Sequence, residues 1–238
     1  VETRRARGEG PDLASVAKLL ADGTRAAFCM ALLDRRAWTA TELAHHVGVA
    51  SSTTTGHLNA LVHGGLLAEE RQGRHRYVRI AAPEVAELIE GLAALAPDRT
   101  TPRSLSATGR RQALAHLRTC YDHLAGTVGV AITDAMTERE LLDWEQGLRL
   151  TGAGTSWLGE LGITVSAGSR RPSVRSCLDW TERRPHLAGA VGAALCHHAF
   201  RAGWITRVGT TRAAAVTAAG RQALGRHLGL SESLLTKA

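Results

Sequence analysis

Apolar positions recur at helical spacing through the first 95 residues, and glycine or a hydroxyl residue interrupts them at short intervals. Asp12 precedes LASVAKLL and can cap a helix running to about Leu20; beyond Gly23 a second helix fits Thr24 to Leu33, with Ala27, Met30, Ala31 and Leu33 on one side. Thr39 and Glu42 have the spacing of a capping box, Leu43, Ala44 and Val47 give that helix an apolar side, and Gly48 ends it. The next helix opens near Ser51, buries Leu58, Leu61 and Val62, and stops at Gly64-Gly65. In LLAEERQGRHRYVRI, two strand-like runs flank Gly73. This order predicts a helix-turn-helix followed by a β-hairpin wing.

The pattern changes after residue 96. APDRTTPRSLSATG combines prolines, hydroxyl residues and glycine, which predicts a linker over 97–109 between an N-terminal domain, 1–96, and a second domain, 110–238. The second domain repeats itself. CYDHLAGTVGVA (120–131) is echoed by HLAGAVGAA (186–194), and LTGAGTSWLGELGI (150–163) by VTAAGRQALGRHLGL (216–230), at a spacing of 63 to 66 residues. R-[ST]-C-x-D also recurs, at Arg118–Asp122 and Arg175–Asp179, and a six-residue insertion separates the second copy from its HLAG. The copies span about 110–165 and 170–232. Each is read as a small-residue helix, a connection, and a [LV]-T-x-A-G turn into another helix; in the second copy that first helix is HLAGAVGAALCHHAF (186–200), apolar on most faces and so expected to be buried, and AGWITRVGTTRAAAVT reads as a hairpin turning near Gly209-Thr210. The expected fold is mainly α with small β-hairpin wings (α+β): an N-terminal winged helix-turn-helix plus a C-terminal duplicated, winged-helix-like helical domain.

With 238 residues and 44% hydrophobic content the chain can bury real cores. No run approaches the roughly 18 to 20 apolar residues needed to span a bilayer, and VETRRARGEG lacks the apolar block of a signal peptide, so a cytoplasmic protein without membrane contact is expected. The net charge is +7, carried almost wholly by arginine. Residues 1–100 hold 12 basic and 12 acidic side chains and the rest 17 and 10, so the surplus lies in the second half. Electrostatic arguments about the first half must therefore be local.

Local charge does appear around the wing tip, at Arg71, Arg74 and Arg76, where guanidinium groups can reach phosphates. The hydroxyl run SSTTT opens the second helix of the helix-turn-helix, the position that faces base edges and phosphates in a recognition helix. Ser51, Ser52, Thr53 and Thr55 are the candidate contacts, with Asn59 facing outward and Thr54 inward. Gly56 costs roughly 1 kcal/mol in a helix but lets the backbone approach DNA closely. The plainer reading is a Ser/Thr cap on a surface helix.

SSTTTGHLNAL followed by GGLL and RQGRHRYVRI resembles the ArsR/SmtB family of winged-helix repressors over about residues 12–96. The resemblance implies a homodimer, built on the first and last helices of the module, that binds double-stranded operator DNA and is released by an inducer. Many members hold metal through two cysteines in a stretch equivalent to Ala37–Leu43, where this chain has Thr39 and Thr41. The alternative site of the family needs ligands on the last helix, and PEVAELIEGLAAL contains no histidine. Neither familiar metal site is expected, and Cys29 in FCMALL reads as a core residue.

Two repeats packed about a pseudo-twofold axis leave a cleft between them, a favoured place for a pocket. Trp144, Trp157, Trp180 and Trp204 all lie in this half and are not shared between copies, so they are candidate ligand contacts, or else fill local cores. Cys120, Tyr121, His123, Cys177, Cys196 and His197 complete the candidate list. The favoured expectation is a repressor released by a small organic, aromatic inducer. Its alternative is a thiol-redox or metal-responsive repressor using Cys120, Cys177 and Cys196, and architectural DNA binding is a third reading. No cofactor, resident metal or catalytic residue is expected, since the chain has no phosphate-binding glycine loop, G-x-S-x-G or H-E-x-x-H.

Overall fold

Asp12 accepts a hydrogen bond from the Ser15 N–H at 3.1 Å and starts α1 (Leu13–Leu20). Asp22 does the same for Arg25 at the head of α2 (Gly23–Leu32), which buries Phe28, Cys29 and Leu32. Strand β1 (Trp38–Thr39) leads into α3 (Ala40–Val47). There the capping box is complete: the Glu42 carboxylate accepts from the Thr39 N–H at 2.7 Å and the Thr39 hydroxyl accepts from the Glu42 N–H. Gly48 ends the helix with φ 77°, a conformation that a side chain would strain. Helix α4 (Ser51–His63) buries Thr54, Leu58 and Leu61, whereas Val62, expected in the core, is half-buried.

Strands β2 (Leu67–Gln72) and β3 (His75–Ile80) pair antiparallel from Leu67↔Ile80 to Gln72↔His75, with β1 on the other side of β3. The turn between them is Gly73-Arg74, Gly73 at φ 58°. Helix α5 (Pro83–Leu95) follows. The computed structural model describes residues 10–96, 105–165 and 171–236. These form two compact units, one of residues up to 32 with 36–85, the other of 33–35 with 86 onward, so most of α5 belongs to the second. The N-terminal segment 1–9, residues 97–104 of the expected linker, and position 170 lie outside the described residues; 105–109 already belong to a helix.

In the second unit α6 (Leu105–His116) precedes two passages through one order of elements. The first is β4 (Arg118–Cys120), β5 (His123–Ala125), α7 (Thr127–Glu138), β6 (Leu142–Asp143), β7 (Arg149–Leu150) and α8 (Gly152–Glu160). The second is β8 (Arg175–Leu178), β9 (Pro185–Ala188), α9 (Gly189–Arg201), β10 (Ile205–Arg207), β11 (Ala214–Val216) and α10 (Ala218–Leu228), and α11 (Glu232–Thr236) closes the chain. Each passage is hairpin, helix, hairpin, helix.

One expectation is corrected: HLAG does not begin a helix. In both passages HLA is the second strand of a hairpin, and glycine makes the corner at φ 83° (Gly126) and 84° (Gly189). A Cβ on Gly126 would stand 2.5 Å from the Ala115 carbonyl oxygen, so the corner needs glycine for space as well as for angle. Thr151 and Thr217 then cap α8 and α10 alike, accepting from the N–H of Gly154 and Gly220. The core between these elements includes Leu117, Val128, Met136, Trp157, Val191, Trp204 and Leu224.

Candidate functional site

The first candidate surface is the start of α4. Its N-cap is Ala50, with no side-chain cap, so the plain capping role for the hydroxyl run is not what the structure has. Ser51, Ser52, Thr53, Thr55 and Gly56 are exposed, and Thr54 turns inward to donate to the Ala50 carbonyl at 3.0 Å. A helix start with uncapped N–H groups and hydroxyls on its outer face suits phosphate oxygens and base edges.

Asn59 is half-buried, and its side-chain oxygen accepts from the Arg76 guanidinium at 2.8 Å. Arg76 also pairs with Glu69 at 2.7 Å, while Arg71 reaches the same carboxylate at 3.1 Å. The bond from Arg71 first, then the nearby Arg76, holds the Glu69 carboxyl below its ordinary value. Arg76 and Asn59 thus tie the wing to α4, and Arg71 and Arg74 are the exposed cations of the tip.

The second candidate lies inside the other unit. Antiparallel pairing sets Cys120 opposite His123 in one hairpin and Cys177 opposite His186 in the next. Residues directly opposite one another in such a pair project from the same face. The two faces meet: Cys120 Sγ is 3.8 Å from Cys177 Sγ, His123 Nε2 is 3.1 Å from His186 Nε2, and the four donor atoms all lie within 4.8 Å of one another. Cys120, His123 and His186 are buried and Cys177 is half-buried.

Behind each imidazole stands a carboxylate. His123 Nδ1 is 3.1 Å from Asp122 Oδ1, and His186 Nδ1 is 3.4 Å from Asp179 Oδ2 without the alignment of a hydrogen bond. Asp122 accepts from both terminal nitrogens of Arg171, one at 2.9 Å. Asp179 accepts from Arg118 at 3.0 Å, from the Gly126 N–H at 2.6 Å, and from Thr181 and Glu182 in its own turn. Burial pushes both carboxyls up, but these bonds and cations outweigh it, so both are held well below the usual carboxylate range. The bond to Cys120, then the two imidazoles, draws the Cys177 thiol down against burial, while the same bond and burial push Cys120 up.

The remaining candidates scatter. Cys196 lies on α9 within the hydrophobic core, where burial pushes its thiol up to about 12, and His197 beside it is exposed. Trp157 and Trp204 are core residues, Trp180 lies under the Arg118 guanidinium at 4.4 Å, and Trp144 is at the surface, donating to Thr137. Tyr121 forms the β4–β5 turn with φ 57°. Cys29 is fully buried in the first unit, and burial raises its thiol to about 12. Sequence reasoning missed His186, Asp122 and Asp179. The signal was the HLAG repeat, which makes His186 the counterpart of His123 at a separation of 63.

A helix-turn-helix domain model matches residues 20–70. Over 221 residues the chain is 37% identical to the uncharacterized HTH-type transcriptional regulator YdfF of Bacillus subtilis (strain 168), covering 92% of this chain and 97% of the relative. Among solved structures, a homodimeric winged helix-turn-helix DNA-binding domain of Mb0332 from Mycobacterium bovis, a possible ArsR-family regulator, is 33% identical over 34% of this chain and 75% of its own, with a TM-score of 0.32. The cadmium metal-sensor CMTR from Mycobacterium tuberculosis is 31% identical over 39% of this chain and 97% of its own, with a TM-score of 0.30. No helix among the described residues is long and apolar enough to cross a membrane.

Proposed function

This chain belongs to the HTH-type transcriptional regulators, and from that premise we propose that it is a winged, ArsR-type repressor that binds operator DNA as a homodimer and is released by an effector acting in its second unit. The observation that carries the DNA reading is the outer face of α4, where exposed hydroxyls surround a helix start with no side-chain cap. The dimer is proposed on α1 and α5. Leu13 is exposed on α1, and Leu88, Leu92 and Leu95 are exposed on one side of α5 at helical spacing.

For the effector, a small organic, aromatic inducer rests on the arginine surplus of the second unit and on Trp144, the exposed one of its four tryptophans. The apolar cavity lined by Leu117, Leu124, Val128 and Trp204 measures about 10 Å³, so such a ligand has to part the core to enter there. A second reading, a metal- or thiol-responsive regulator, is favoured by the approach of Cys120 to Cys177; Cys196 takes no part in it.

Gel-shift titration across a salt series tests the DNA reading. Arg74→Ala should weaken binding to all sequences and lower the salt slope by about 1, whereas Thr53→Ala should change operator preference. If both variants bind as the parent does, α4 and the wing are not the interface. Leu92→Glu should yield monomers in sedimentation if α5 is a dimer face. Operator release by small molecules, followed through tryptophan fluorescence, tests the inducer.

A further inference from the structure

We propose that Cys120, His123, Cys177 and His186 bind one Zn²⁺ ion, tetrahedrally, at the seam between the two repeats. The proposal does not rest on operator binding, because its test is read without DNA.

Geometry carries it first. Zinc bonds of about 2.3 Å to sulfur and about 2.0–2.1 Å to nitrogen, at tetrahedral angles, set two sulfurs about 3.8 Å apart and two nitrogens about 3.3 Å apart. The separations here are 3.8 Å and 3.1 Å. Two hairpins deliver these atoms from opposite sides, each supplying one sulfur and one nitrogen from directly paired positions. Without a cation, the two Nε2 atoms face each other across 3.1 Å in a buried place where at least one neutral ring must present its lone pair.

Chemistry carries it second. Two thiolates and two imidazoles select a borderline-soft, tetrahedral ion over Mg²⁺ or Ca²⁺, which take oxygen. Two thiolates neutralise Zn²⁺, so the filled site buries no net charge. The two nearby carboxylates are already balanced, Asp122 by Arg171 and Asp179 by Arg118. Asp122 bonds the far nitrogen of His123, as in carboxylate–histidine–zinc units that orient the ring and raise its basicity, and Asp179 stands 3.4 Å behind His186. Four protein donors leave no open position, which is the form of a structural site. Half-buried Cys177 marks where the ion enters.

The site also adjoins α5. Ala86, Glu87 and Glu90 of that helix line a small cavity with Cys120, His123 and Cys177, and Arg175 pairs with Glu87 at 2.9 Å. The ion therefore joins two repeats directly beneath the inner side of this helix.

The test uses the full chain purified under reducing conditions. Elemental analysis should find one zinc per chain, and X-ray absorption at the zinc edge should resolve two sulfur and two nitrogen neighbours. Co²⁺ added after zinc removal should give the visible bands of a tetrahedral site together with thiolate charge transfer. Asp122→Asn should weaken Co²⁺ binding by about 10–100-fold and Cys177→Ala by more, with Cys196→Ala unchanged. Because the absorption spectrum belongs to the unaltered protein, a variant that fails to fold does not spoil the answer. A chain that binds neither zinc nor Co²⁺ overturns the proposal. So does a shell without sulfur, equal loss in Cys196→Ala, or a chain isolated with Cys120 and Cys177 joined as a disulfide, which would transfer the site to thiol chemistry.

Discussion

The two repeats of the second unit present the same donors with different lengths of chain. Between Cys120 and His123 the first hairpin has only Tyr121 and Asp122. Between β8 and β9 the second has a six-residue loop, Asp179–Arg184, and still brings Cys177 opposite His186. Strand register, not loop length, decides where the donors stand. The loop decides instead how firmly the carboxylate is held. Asp179 sits in a turn that gives it several N–H donors and a wholly buried arginine, whereas Asp122 depends on the partly exposed Arg171.

That asymmetry should be largest in stability. Arg118→Ala leaves Asp179 as an unpaired buried charge and should cost about 3–5 kcal/mol. Arg171→Ala removes a charged hydrogen-bond partner at the unit's margin and should cost no more than about 1–3 kcal/mol. Urea unfolding of the two variants compares them, and equal losses would show that the longer loop adds no support.

The corner glycines come next. Gly126→Ala and Gly189→Ala should each cost about 1–3 kcal/mol, from the left-handed backbone and from crowding, with Gly126 the worse because its nearest carbonyl is 2.5 Å from the added Cβ against 2.9 Å at Gly189. Thermal unfolding that ranked Gly189→Ala as clearly the worse would mean that the longer loop makes its corner the more rigid. The smallest effect belongs to the caps. Thr151→Ala and Thr217→Ala should each cost about 1 kcal/mol, because both hydroxyls make the same bonds to the helix and to a preceding carbonyl. A difference above roughly that size in denaturant midpoints would break the equivalence of the halves.

The winged module was legible because its signals are local: Thr39 and Glu42 three residues apart, Gly48 at a helix end, hydroxyls at a helix start. In the second unit the repeat itself was legible, but its chemistry was divided between two offsets. HLAG recurs at 63 residues, which pairs His123 with His186, and R-[ST]-C-x-D at 57, which pairs Cys120 with Cys177. The inserted loop absorbs the difference, so neither alignment alone places all four donors together. Strands of three or four residues carry too little alternation to be read, and the small apolar residues of HLAG imitate a helix. Cys196 next to His197 looked like a ligand pair, yet adjacent residues on a helix point about 100° apart, and one faces the core while the other faces water. Likewise Asn59 looked outward from its helix alone; the Arg76 side chain that engages it comes from a strand 17 positions later.

Each repeat by itself holds half a set of donors, one sulfur and one nitrogen. A chain with a single repeat could assemble all four only by meeting a second copy of itself, and its site would empty on dilution. Joining the halves in one polypeptide makes the encounter intramolecular, at an effective concentration set by the chain between them. The meeting of the four donors is thereby made independent of protein concentration. The two halves are also free to change separately, and the six-residue loop around Asp179 is where one of them has done so.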